Sequence, residues 1–148
     1  LYGENTVLKG RVRLVHKRGD KILKVVETPN VITNTGKAQV AGLINGVVTD
    51  YFEYIAIGTD TTSASASDTA LGAETHRTSA TTSRTTTSVT NDTAQLVATF
   101  DFTDSYAITE SGVFDASTGG NMLCRQTFSA INVASGDSLQ VTWKVQVS

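Results

Sequence analysis

With a single cysteine, Cys124, the chain cannot close an internal disulfide, which excludes the stapled architecture of small secreted domains. One proline, no Gly-x-y repeat and regularly spaced apolar residues separate it from disordered linkers. Charged residues make up only 18%, against roughly 25% in an average domain. No apolar run approaches the roughly 18 residues of a membrane-spanning helix. The opening LYGENTVLKG lacks the basic-then-apolar layout of a signal peptide. Two histidines and one cysteine are too few for zinc bound through nitrogen and sulfur.

Threonine fills the space left by charge. It occurs 24 times among 148 residues, and as a β-branched, uncharged residue it suits the solvent side of strands. The length fits one domain with its own core. The net charge of −2 is uneven, +5 over residues 1–24 and −7 over residues 25–148. Either a basic edge meets an acidic partner surface, or these are the solvated faces of a first hairpin.

Residues 7–29 read as that hairpin. VLKGRVRLVHK sets Val12, Leu14 and His16 on one side and Arg11, Arg13 and Val15 on the other; KRGDK supplies the turn, and KILKVVETPN returns until Pro29. Residues 34–47 change period: Asn34 or Thr35 caps a helix whose apolar face is Val40, Leu43, Ile44 and Val47. YFEYIAIG at 51–58 predicts a central strand, apolar on both faces. Residues 59–72 have no period and form a surface loop anchored by Leu71; Glu74 to Val89 predicts one long, polar strand, with a flexible linker as the alternative.

The later strands set the core. TAQLVATFDF presents Ala94, Leu96, Ala98, Phe100 and Phe102 on one face, and DSLQVTWKVQV presents Leu139, Val141, Trp143, Val145 and Val147. Trp143 is expected to be buried against Phe100 or Phe102. YAITESGVFD and NMLCRQTFSAI form a pair joined by the turn ASTGG. Seven or eight strands, one short helix and no βαβ rhythm predict an all-β fold. The expected architecture is a two-sheet antiparallel β-sandwich, jelly-roll-like, at residues 30–148, with residues 1–29 as a basic arm.

Catalysis finds little support. His16 and His76 each fall in a strand pattern, and no nucleophile, base and orienter are marked out by spacing. Cys124 alternates with Met122 and Phe128, the place of a small buried hydrophobe. Asp50, Asp60, Asp68 and Asp92 border loops, yet no twelve-residue calcium loop is present. ASTGG lacks the lysine of a phosphate cradle. Lys9, Arg11 and Arg13 form a row that could track a phosphate backbone, but no aromatic residues accompany it for stacking, so nucleic acid is not the expected partner. Arg18–Gly19–Asp20 fills a turn that the hairpin needs anyway.

Five stretches carry a resemblance: Ile55–Thr62 (IAIGTDTT), Asp68–Leu71 (DTAL), Ile108–Phe114 (ITESGVF), Arg125–Phe128 (RQTF) and Leu139–Trp143 (LQVTW). The chain resembles a family of small tailed-phage virion proteins over about residues 30–147, with the hairpin at 7–29 outside the shared pattern. The resemblance implies a structural protein of the virion, with no enzyme activity, no cofactor and no membrane partner. Its first expectation is a capsid decoration protein that cements the major capsid protein lattice as a trimer. Its second is a tail-fibre or baseplate domain that contacts the host through residues 59–72.

Either role calls for assembly with neighbouring virion subunits or further copies of this chain. The expected contacts lie on the first hairpin: Lys9, Arg11 and Arg13 setting orientation, with Val12, Leu14, Ile22 and Val25 giving the apolar contact. The alternative is a hairpin packed on its own domain.

Overall fold

A computed structural model describes residues 7–148; residues 1–6 of the basic arm lie outside the described residues. The elements run β1 (Leu8–Arg18), β2 (Lys21–Pro29), β3 (Val31–Ile32), α1 (Asn34–Asn45), β4 (Tyr54–Gly58), β5 (Glu74–Ser79), β6 (Thr81–Thr85), β7 (Thr93–Asp101), β8 (Tyr106–Phe114), β9 (Met122–Val133) and β10 (Asp137–Val147). They build two five-stranded antiparallel sheets, β2-β1-β10-β7-β6 and β3-β9-β8-β4-β5. The chain is all-β with one short helix, as its alternation predicts.

Alternation sends one side of each strand into the shared core. Val12, Leu14, Leu139, Val141 and Trp143 from the first sheet are fully buried, facing Ile55, Ile57, Ile108, Val113 and Ile131 from the second. Trp143 lies opposite Val12 and Leu96 in the ladders, and Phe100 opposite Leu139, so its register neighbours are aliphatic. Its indole N–H donates to Ser111 Oγ at 3.1 Å, and Ser111 Oγ donates to the Ala56 carbonyl at 2.9 Å. The one polar atom of the indole therefore has a partner in the core. At the strand ends, Ala94 and Val147 are exposed rather than inward.

The Thr-rich segment expected as one strand is two. β5 pairs with β4 in the second sheet and β6 with β7 in the first, and the chain changes sheets at Ala80, whose N–H donates to the Glu53 carbonyl at 2.7 Å. Such a corner lets one polar run serve both layers.

The helix is capped by Thr33, not Asn34 or Thr35. Its hydroxyl oxygen accepts from the Gly36 N–H at 2.8 Å, and Gly46 closes the helix at φ 79°. Gly36 lies so close to the Leu123 backbone that a Cβ there would stand 2.5 Å from its carbonyl oxygen. The helix thus docks by its first turns. Val40 reaches the core, while Ile44 and Val47 remain exposed, contrary to the periodic face read from sequence.

The first hairpin turns at Gly19, φ 60°, which matches a two-residue turn with glycine in its first central place. β1 then pairs along its whole length with β10, from Leu8 opposite Val147 to Arg18 opposite Asp137. It is an interior strand of the first sheet.

Candidate functional site

The outer face of the second sheet is covered by the loop that joins β4 to β5. Leu71 is buried there with Ala56, Phe114 and Met122, the anchoring expected of it. Above this small cluster sit two charged residues on strands with no other charge, Glu110 on β8 and Arg125 on β9. Glu110 is 0% and Arg125 2% exposed. The bulge between Ile108 and Glu110 and the pairing of Gly112 with Arg125 bring the two onto one face as diagonal neighbours.

Their remaining bonds run into the loop. Arg125 Nε donates to Glu110 Oε1 at 3.1 Å, Nη1 to Asp68 at 2.9 Å, and Nη2 to Asp60 and the Thr62 carbonyl, both at 3.1 Å. Glu110 accepts from the backbone N–H groups of Asp60, Gly72 and Ala73 at 2.8 to 3.0 Å. Thr109 Oγ1 donates to the Asp60 carbonyl at 2.7 Å. A buried ion pair held by this many charge-assisted bonds fixes conformation, the use for which such pairs are best suited. The loop is therefore held in one shape, with Thr61, Thr62, Ser63, Ser65, Ser67 and Thr69 exposed on its surface.

Of the four aspartates that border loops, two are Arg125 partners. A third, Asp92, accepts from the N–H groups of Thr87, Ser88 and Val89, which hold its carboxyl below the usual carboxylate range. These carboxylates are engaged by protein donors.

At the far end of the first sheet, Asp137 is buried. Its carboxylate accepts from Arg18 Nε at 2.8 Å and Nη2 at 3.0 Å, pairs with His16 Nε2 at 2.8 Å, and accepts from the Ala134 N–H at 2.8 Å. Arg18 first, and then His16, hold its carboxyl below the ordinary value. His16 and Asp137 are a base and an orienter, but no hydroxyl or thiol bonds to His16 among the described residues, so the pair locks the start of β10. Burial pushes the Cys124 thiol up, away from the thiolate that reactivity requires.

The expected assembly residues part company. Val12 and Leu14 face this chain's own core and are fully buried, which corrects their assignment to an intersubunit contact; here they pack within the sandwich. Ile22 and Val25, on the edge strand β2, are about half exposed, at 55% and 46%. Lys9, Arg11 and Arg13 project together from the outer face of β1. Lys144 on β10 stands directly opposite Arg11 and joins the row, a neighbour that only strand register reveals.

No curated protein and no solved structure matches the chain. Residues 51–145, which include β4 to β9, nearly all of β10 and the whole Glu110–Arg125 network, match the family model described as Podophage GP4 fiber I protein gp80. That match spans more than half of the sequence, and the chain belongs to this family of phage fibre proteins, structural components of the virion.

Proposed function

We propose that the chain is a fibre or baseplate domain that contacts the host surface through the loop at residues 59–72, acting by recognition and support with no catalytic step. The observation that carries this reading is the clamp of Glu110 and Arg125. Binding loops gain affinity when their shape is set before the partner arrives, and this loop is a hydroxyl-rich surface on a rigid sandwich. The fibre description of the family favours this role over capsid decoration.

Purified protein is expected to compete with intact phage for adsorption to host cells. The triple variant Thr61→Ala, Ser63→Ala, Thr69→Ala should fold normally and lose that competition. Unchanged adsorption at saturating wild-type protein would sink the reading. A count of hundreds of copies per particle would return the role to shell decoration.

In this reading subunits meet along β2. Ile22, Leu23 and Val25 are exposed on a strand whose outer ladder edge is unpaired among the described residues. Lys21, Lys24 and Pro29 are the charges and proline that blunt an edge against indiscriminate strand pairing, so the contact is through the exposed side chains of Ile22, Leu23 and Val25.

A further inference from the structure

At one end of the sandwich, where the start of β1 meets β3 and the first turn of α1, lies a groove of about 900 Å³, lined by Lys9, Arg11, Lys37 and Lys144 with no carboxylate among the described lining residues. Three local conflicts meet in it. First, Arg11 and Lys144 are direct cross-strand partners, and like charges so placed repel. Arg11 Nε donates to Glu27 at 2.8 Å, and Lys144 acts on the same carboxylate only from beyond ion-pair distance, so one carboxylate serves Arg11, Arg13 and Lys144. Second, Lys37 occupies the first turn of α1, where no acidic residue stands and the positive end of the helix dipole disfavours a cation. Third, the Asn30 carboxamide has both polar atoms buried and without a hydrogen-bond partner among the described residues. It packs so tightly on Gly10 that a Cβ there would collide with it. Rules broken together at one place, with no structural gain, mark a functional site.

The size and lining select the occupant. The groove lies within the range of about 300–1,000 Å³ of small-ligand sites, and it is far larger than one phosphate ion. No aromatic residue is present among the described lining residues for base stacking. Its apolar walls, Val7, Leu8, Pro29 and Ile32, suit the C–H faces of sugar rings, while the cations meet acid groups. We propose that this groove binds an acidic saccharide, a short run of sugar rings bearing carboxylate or phosphate groups, with Lys9, Arg11, Lys37 and Lys144 as its charge partners. The site goes beyond the loop reading, since no residue of 59–72 lines the groove.

Calorimetric titration of the full chain tests it with trigalacturonate, a phosphorylated maltotriose and neutral maltotriose as probes. The acidic sugars should bind with an affinity that falls with salt, the neutral one should not, and the stronger of the two acidic probes identifies the acid. Lys144→Gln should weaken binding about tenfold while leaving the melting temperature unchanged or higher, because it relieves repulsion with Arg11. A merely structural lysine would not give that pair of effects. Lys9→Gln with Lys144→Gln should weaken it further, and the loop triple variant should bind as wild type. Equal binding of neutral maltotriose, unchanged affinity in the double variant, or loss in the loop variant overturns the proposal. So does tighter binding of a decaglutamate peptide or an oligothymidylate, which would make the groove a protein or nucleic-acid site.

Discussion

Glu110 and Arg125 form an ion pair at 3.1 Å inside the protein, and each spends its other bonds on the same loop. Removing one partner of a buried pair leaves a charge without compensation, which costs about 3–5 kcal/mol. Arg125→Ala is expected to lie at the lower end, because Glu110 keeps three backbone donors. Glu110→Gln places an amide N–H₂ among donors and leaves Arg125 with the Asp60 and Asp68 carboxylates and the Thr62 carbonyl. Hydrogen exchange of residues 60–73 should accelerate strongly in both variants, while exchange in β10 should track global stability alone. Unaltered loop protection in Arg125→Ala would show that the loop holds its shape without the clamp.

Trp143 tests the core from the other side. It is fully buried, so Trp143→Ala should cost about 3–5 kcal/mol through lost transfer energy and the cavity left behind, a large share of a stability of about 5–15 kcal/mol. Trp143→Phe removes the N–H to Ser111 and some volume, and the hydrogen-bond part alone is about 1 kcal/mol. Denaturant midpoints of the two variants and of Ser111→Ala give the comparison. A melting temperature for Trp143→Ala within a degree or two of wild type would contradict the placement.

The sandwich was legible because alternation is a local property. Val12, Leu14, Leu96, Phe100, Val141 and Trp143 declare their inward faces from sequence, and β1, β7 and β10 follow. The corner at Ala80 was not, since Thr-rich strands carry no apolar face to report which sheet they join. Ile44 and Val47 misled because helical period records spacing, whereas docking depends on Gly36 against Leu123, a contact 87 positions apart in sequence. The clamp was half legible. Asp60, Asp68, Leu71, Glu110 and Arg125 all fall within the stretches that carry the family resemblance, and single charges inside ITESGVF and NMLCRQTF are an available signal for a buried pair. Their convergence needs the fold. Lys144 was missed as a member of the basic row because it enters through register with Arg11.

Asp137 makes stability depend on acid. Its carboxyl is held below its ordinary value by Arg18, then by His16 and the Ala134 N–H. A depressed folded value means that the contribution is fully present above the unfolded value of about 3.9 and is lost as pH falls through the lower folded value. Asp137→Asn should therefore lower the melting temperature most near neutral pH, with the gap to wild type narrowing below about pH 4. Melting curves at closely spaced pH values between 2 and 7 decide it. A constant gap throughout would assign the loss to packing and not to the charge.

The first hairpin gives the prediction that bears most on assembly, because its two strands make opposite demands. β1 supplies Val12 and Leu14 to the core and its full length to β10. Loss of two such side chains at about 2–5 kcal/mol each rivals a whole domain's stability of about 5–15 kcal/mol. Deleting residues 1–29 should therefore unfold the chain, seen as loss of β-type circular dichroism. β2 contributes little to the core and leaves Ile22 and Val25 exposed, so Ile22→Thr with Val25→Thr keeps the β-branched shape and should keep the melting temperature within a few degrees. If β2 is the subunit contact, this double variant dissociates in sedimentation analysis at concentrations where wild type is oligomeric. Arg11→Glu with Arg13→Glu should slow association and reduce its salt dependence without dissociating the product, because surface charge acts on encounter more than on the finished contact. An oligomer that survives the β2 variant moves the contact to another face, and a folded deletion chain would mean that β10 can do without the strand it pairs with from end to end.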